Sequence, residues 1–525
     1  MAEFDEGNDT LSRTEHASRN ILWAVVGKLV GIAGPFIVRT ILIYQLGAQY
    51  LGLSGLFTSI LQVLSLAELG FAGAIAFSMY APIAAGDKAV VAALLNYFKK
   101  VYRIVGIAIL LMGVLLLPFL DYFVKGDIPS DVNIQLAYLI YLINTSLSYF
   151  MFAYKESLLN AHQRYDAISK ARLISSGLLY VAQGVCLFLF PNYYAYAILL
   201  LFATIANNAV VAMAAHRLFP EYRSANIKTF GISDNERAAI RKRVAGLLIG
   251  RVCTTTRDSC DGVIMSSFLG LVAVAQYSNY FLIVTSILAL LETIGPAITS
   301  SVGNSIAIES KEKNLADMRK FIFLYAMPSM VCTACLLATL QSFMELWVGS
   351  SLMLPFTTVV LLCAYFYLRT MGDIRAIYID AAGLWWEQRW RCVVEAVLNL
   401  ILCVSLVQVF GVNGVCLGTL IALFAVNFCY GSHLLFRYYF GLKYAKFFYL
   451  DHALYVGVAC LTCITTYCVL QNFAIAGIIG FLIQVLISAS LSSAIILLVF
   501  FRTRRFIDAK SFVIDRILKR NTNRK

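Results

Sequence analysis

Arg257, Asp258 and Asp261 stand within five residues of one another in an otherwise apolar stretch, and helical spacings of three and four put Asp261 on the face of Arg257 and of Asp258. A charge at the centre of a membrane-spanning helix is unfavourable by roughly 2.5 to 3.5 kcal/mol, so it needs a partner or a wet cavity. Lys28, Arg39, Glu68, Arg251, Glu292, Arg369, Asp373, Arg375 and Glu395 lie in or near apolar runs and raise the same question. One answer is chemical. A guanidinium presents paired donors that match phosphate oxygens, so Arg39, Arg251 and Arg257, with Lys28, suit a cationic face for a diphosphate group. Glu68, Asp261 and Glu292 would then be sites for a coupling proton or sodium ion. The other answer is structural. Arg257 and its neighbours can neutralise one another, and Lys28 and Arg251 lie about two turns from a span end, within reach of the interface for their long stems. Arg369, Asp373 and Arg375 read as a network near a span end.

Other chemistry is not indicated. The histidines, at positions 16, 162, 216, 433 and 452, have no ligand spacing, and neither a Walker A loop nor a Gly-x-Ser-x-Gly elbow occurs. No enzyme activity and no cofactor are expected beyond Na+ or H+ coupling. The thirteen cysteines fall almost entirely in apolar runs, where they serve as small apolar residues rather than a disulfide framework.

These residues must be held by elements suited to lipid. The chain has 525 residues, of which 60% are hydrophobic and 14% charged, with a mean hydropathy of +0.78. The fold class expected is an all-α integral membrane protein. Apolar runs begin near Ile21, Leu51, Ile104, Ile134, Arg172, Ala195, Val244, Val272, Phe321, Pro355, Cys392, Gly414, His452 and Phe473, giving about fourteen spans of roughly 20 residues. Basic residues test the count, because Lys and Arg favour cytoplasmic loops. They crowd alternate connections, from Lys88 to Arg103, Lys155 to Arg172, Arg217 to Arg243 and Lys311 to Lys320, then at Arg389, Arg391, Arg437, Lys443 and Lys446, and nine more follow from Arg502 onward. In the opposite loops only Lys125 occurs. Both termini are therefore expected in the cytoplasm, with tryptophans at span ends. The net charge of +13 follows from this topology, and no nucleic-acid partner is expected. The first twenty residues lack the basic start of a cleaved signal peptide.

The chain also matches itself. Lys28 precedes Gly47 by nineteen residues, as Arg251 precedes Gly270, and Glu68 and Glu292 follow those glycines by 21 and 22. Repeats of about six helices each would enter the membrane in the same direction. The resulting organisation is a cytoplasmic segment 1–20, an N-lobe 21–216, a linker 217–243, a C-lobe 244–436, two further helices in 437–500 and a basic tail 501–525. The tail mixes basic residues with Phe506, Ile507, Phe512, Val513, Ile514, Ile517 and Leu518, as an amphipathic helix on anionic lipid would; plain topological anchoring explains it equally.

The stretch QLGAQYLGLSGLFTSILQVLSLAELGF from Gln45, FSMYAPIAAGD from Phe77, DGVIMSSFLGLVAVAQYSNY from Asp261, SSVGNSIA from Ser300 and GVNGVCLGT from Gly411 resemble the Wzx-type oligosaccharide flippases. These form the polysaccharide transporter branch of the multidrug/oligosaccharidyl-lipid/polysaccharide exporter superfamily. The resemblance implies two helical lobes around a central cavity, alternating access, and export of polyprenyl-diphosphate-linked oligosaccharide for capsule, exopolysaccharide or O-antigen in a bacterial cytoplasmic membrane. It gives Arg39 the place of a first-helix arginine and Asp261 that of a seventh-helix aspartate, while Gly262 stands where that family commonly has asparagine. A cation-coupled multidrug antiporter, a polymerase or a non-catalytic membrane partner of the same pathway are the rivals. Polysaccharide-assembly glycosyltransferases are the protein partners to consider, beside membrane lipid.

Overall fold

In the computed structural model, residues 13–65, 79–222 and 253–512 are described, apart from residues 81, 84, 127, 153, 163, 254, 258 and 473–476. Among these residues no strand forms. The chain divides into two compact units, one of residues 1–123 with 127–252 and the other of 124–126 with 253–525. The sequence-based linker 217–243 lies mostly outside the described residues.

The first unit contains α1 (Arg13–Gln45), α2 (Ala48–Leu64), α3 (Lys88–Leu116), α4 (Ile134–Phe150), α5 (Tyr154–Ala161), α6 (Tyr165–Leu189) and α7 (Tyr193–Leu218). Several starts are fixed by polar caps that satisfy otherwise unpaired backbone N–H groups. The Asp87 carboxylate accepts from Val90 N at 3.0 Å, Asn133 from Leu136 N at 3.0 Å and Asn192 from Ala195 N at 3.1 Å. Within the unit α1 packs along α6, α6 against α7, and α4 against both α3 and α7. The short α5 is bent by 50° from α4, and Phe152 between them takes a positive φ of 56°.

The second unit opens with residues that are helical from 259 to 269, followed by α8 (Leu271–Leu291), α9 (Gly295–Ile308), α10 (Lys311–Val348), α11 (Phe356–Ala381) and α12 (Trp385–Phe410). Then come α13 (Val412–Phe440), α14 (Ala445–Leu470) and α15 (Gly477–Phe500). The helix α13 is wound as a π-helix over Leu423–Tyr430 and again over Phe436–Phe440. Its first part lies close along α12 because two glycines make room. A Cβ on Gly414 would meet Leu406 O at 2.1 Å, and one on Gly418 would meet Cys403 N and Sγ at 2.8 Å. Small residues at such crossings let backbones approach, as in membrane helix pairs.

Ten described helices are long and apolar enough to cross a membrane. Where their residues are described, the fourteen spans read from the sequence fall on helix; the start of the seventh, from Val244, lies outside the described residues. Besides the ten they comprise α2, the bent α4–α5 pair, the helix through 259–269, and α11. The last carries Arg369, Asp373 and Arg375, so buried partners rather than lipid must accommodate it. Leu178, Val181 and Phe188 on α6 and Ile478, Ile479 and Leu486 on α15 are among many large apolar side chains left exposed, as a lipid-facing surface requires.

The repeat has a backbone counterpart. Gly47 and Gly270 each precede a helix, α2 and α8, with φ of 117° and 94° and nearly identical ψ. That left-handed conformation is why glycine follows leucine at both places.

The tryptophans stand at helix ends as expected: Trp386 and Trp390 are exposed near the start of α12, and Trp347, next to the last residue of α10, is 6% exposed, its ring 5.8 Å from that of Phe343. Residues 504–512 of the tail are helical and pack into the second unit: Phe512 meets the Phe321 ring at 5.7 Å, and Arg505 pairs with Asp451. Phe512 is thus partly covered by protein, while Ile507 stays 56% exposed. Residues 513–525 lie outside the described residues.

Candidate functional site

The polar interior of the second unit is built from four elements whose charged residues are far apart in sequence. Arg257 is 2% exposed and Glu395, on α12, 5% exposed; their side chains form a buried ion pair. On the same side of α12, Arg391 reaches the other oxygen of Glu395 at 2.6 Å, one helical turn away. Asn427, in the first π segment of α13, donates its amide to both Glu395 oxygens at 3.2 and 2.9 Å. Arg375 of α11 in turn donates to the carbonyl and side-chain oxygens of Asn427 and to Phe428 O at 3.4 Å. Three guanidiniums thus gather around one carboxylate and one carboxamide. For Arg257, expected to pair within its own helix, the structure gives a long-range partner in Glu395; Asp258 lies outside the described residues.

One turn along the helix from Arg257, Asp261 is 4% exposed. It accepts from Tyr277 OH of α8 at 3.2 Å and from Thr419 Oγ1 of α13 at 3.3 and 3.4 Å. Asn399 of α12 donates to the same Thr419 oxygen at 2.9 Å, which leaves Asn399 Oδ1 buried without a hydrogen-bond donor. The nearby Val415 carbonyl receives the Cys403 thiol at 3.4 Å. The Asp261 carboxylate, the Thr419 hydroxyl, Asn399 Oδ1 and the Val415 carbonyl are hard oxygen donors of the kind that hold an alkali cation where helices meet. Among the described residues, no three His, Cys, Asp or Glu side chains gather as a metal site.

A second ionic group lies on α11. Asp373 accepts from Tyr325 OH of α10 at 2.9 Å and from Arg369 at 3.4 Å, and Arg369 also stands 3.9 Å from Glu292. Glu292 is exposed, at the C-terminus of α8.

In the first unit, Lys28 and Arg39 are both half-buried on α1. Eleven residues are close to three turns, so they share a face about 16 Å apart. Arg39 lies within electrostatic range of the Tyr196 phenol of α7. In the same unit, Tyr141 OH of α4 donates to Ser54 Oγ of α2 at 2.9 Å, and Ser54 also meets Tyr193 OH of α7 at 3.0 Å. Glu68 and Arg251 lie outside the described residues.

The sequence singled out Arg257, Asp261, Arg375 and Glu395 but not the residues that join them. Asn399, Thr419 and Asn427 are neutral and sit in apolar runs, where nothing sets them apart from helix-packing residues. Arg391 had a legible signal, its i,i+4 spacing to Glu395.

No protein-family model matches the chain, and no curated protein sequence is similar to it. Solved structures share its fold. An inward-facing multidrug resistance MATE family transporter of the MOP superfamily matches with a TM-score of 0.64 and 16% identity over 79% of this chain and 97% of its own. The lipid II flippase MurJ, in an inward closed conformation, matches with a TM-score of 0.64 and 16% identity over 91% of this chain and 99% of its own. A variant of the Vibrio cholerae MATE transporter VcmN matches with a TM-score of 0.58 and 15% identity, covering 81% and 98%. The chain therefore has the all-helical, multi-pass membrane fold of these MOP-superfamily proteins.

Proposed function

We propose that this protein is a flippase that moves a polyprenyl-diphosphate-linked oligosaccharide from the cytoplasmic to the outer leaflet of a bacterial cytoplasmic membrane by alternating access. The product would feed capsule, exopolysaccharide or O-antigen assembly. One observation carries the reading: a fold matched over 91% of the chain by a protein named as a lipid II flippase holds intramembrane arginines whose chemistry suits a diphosphate. Arg39, Lys28, Arg251 and Arg257 are its substrate-contacting residues. Arg257 reaches substrate only by exchanging Glu395 for phosphate oxygens, a swap of one anionic partner for another that keeps the guanidinium paired.

Asp261 is the coupling residue, binding Na+ or a proton among the oxygens of Thr419, Asn399 and Val415; Glu68 and Glu292 are the further candidates. A second reading is favoured by the MATE likeness together with this acidic pocket: an antiporter that exchanges an ion for a cationic drug. It leaves the gathered guanidiniums without a use.

The test is transfer of a fluorescent undecaprenyl-diphosphate oligosaccharide across proteoliposomes. Native protein is expected to flip it, and Arg39→Ala, Arg251→Ala and Arg257→Ala to lose flipping at matched, folded protein levels. Arg257→Lys, which keeps the charge, controls for loss of the ion pair. Flipping unaffected by these changes returns the arginines to structural pairing. No flipping by the native protein, with transport of a cationic dye instead, establishes the antiporter.

A further inference from the structure

We propose that the first unit carries a separate pocket that binds a phosphate group, independently of the flippase reading. A cavity of about 150 Å3 opens among α3, α5, α7 and the turn at Pro220–Tyr222, far above the ~10–15 Å3 that one water needs. Its polar lining is Asn96 and Lys99 from α3, Tyr154 and Lys155 from α5, His216 from α7, and Tyr222. Among the described lining residues none is acidic.

The acids nearest in sequence have other partners: Glu221 stands 3.6 Å from Lys88, Glu156 3.3 Å from Arg172 and Asp166 3.0 Å from Arg164, while Asp87 caps α3. Glu221 and Asp87 remain within electrostatic range of Tyr222, at the edge of the lining. Below the cationic lining is a tight apolar floor of Leu159, Ala167, Ile168, Ala171, Val211 and Ala215. That floor fixes α5 on α6 and α7, and with it the position of Lys155.

Lys155 is the unusual member. It is only 7% exposed, its ammonium lies against Nε2 of His216, and it stands 4.9 Å from the Phe152 ring. An imidazole nitrogen accepts from an ammonium only when that ring is neutral at Nε2. A phosphate group entering here would accept from the Lys155 ammonium, whose three N–H groups can serve it and His216 Nε2 together. Lys99, half-buried and 6.0 Å from the Tyr154 ring centroid, the Asn96 amide and the Tyr154 and Tyr222 hydroxyls supply further donors from other directions. Converging ammonium, amide and phenol donors match a tetrahedral oxyanion with several acceptor oxygens. The phosphate can belong to inorganic phosphate or to an anionic lipid head group, since the chemistry recognised is the same.

The test uses the full chain, purified in lipid-depleted detergent micelles, with two probes. Inorganic phosphate is titrated by calorimetry against a chloride control, and dioctanoyl phosphatidic acid by native mass spectrometry against dioctanoyl phosphatidylcholine. Saturable binding of at least one phosphate probe is expected, weakened tenfold or more by Lys99→Gln and by Lys155→Gln. Lys443→Gln, in the second unit and with the same loss of charge, should leave it unchanged. Variant-sensitive binding of inorganic phosphate identifies a site for free phosphate; variant-sensitive binding of phosphatidic acid alone identifies a head-group site. Because Lys155 is buried and its variant can fail to fold, the half-buried Lys99→Gln decides. Binding of neither probe, or binding indifferent to Lys99→Gln in folded protein, overturns the proposal.

Discussion

Glu395 is the residue on which the polar interior of the second unit depends, because it receives Arg257, Arg391 and Asn427 together. Removing one side of a buried ion pair costs about 3–5 kcal/mol, since the other charge stays buried without its counterion. Glu395→Gln is therefore expected to destabilise by about that amount, read as a drop in thermal unfolding temperature of the purified protein. A shift no larger than that of an exposed control such as Glu312→Gln would show that water already screens the group. Asp261 makes a different prediction. Its partners include the Tyr277 and Thr419 hydroxyls and the Cys403 thiol, from which an amide oxygen also accepts, so Asp261→Asn should fold while losing any dependence of transport on a Na+ or pH gradient. Persistence of that dependence would move the coupling site elsewhere. The charged members of both groups were legible in the sequence, since a charge in an apolar run stands out. The neutral oxygens of Thr419, Asn399 and Asn427 were not, because their role exists only once α12 and α13 are side by side.

At the scale of elements, the Leu-Gly repeat was legible as a spacing, and the structure supplies its cause in two left-handed glycines that open α2 and α8. A side chain at such a φ is strained, so Gly47→Ala and Gly270→Ala are each expected to destabilise by about 1 kcal/mol or more. Alanine at Gly177, a helical position with nothing near its Cβ direction, should be neutral or stabilising in the same denaturation measurement; equal effects at all three would refute the backbone explanation. Close approach of α12 and α13 through Gly414 and Gly418 was not legible. The sequence shows a small-residue spacing but not the neighbour that fills the space. The π winding of α13 was equally hidden, because its residues are ordinary apolar helix formers and the backbone that carries Asn427 is set by packing.

For the whole molecule, hydropathy and the alternation of basic loops gave a multi-pass helical protein, and the shared fold with MATE transporters and MurJ agrees. Orientation is a separate matter and testable. Cytoplasmic reporters should be active when fused after Lys525 and inactive when placed beside Lys125, with a periplasmic reporter giving the reverse; the opposite pattern would invert the topology. The tail was legible as basic and amphipathic, but its docking was not, since Arg319 of α10, Asp451 of α14 and Arg505 beyond α15 form one ionic clasp from three distant stretches. That clasp sets an order of events during synthesis. Arg319 and Asp451 are both made before Arg505, which follows Asp451 by 54 residues, or roughly 3–11 s at 5–20 residues per second. Throughout that interval the carboxylate lacks its second basic partner, so the clasp that joins α10, α14 and the segment after α15 closes only once synthesis has passed α15.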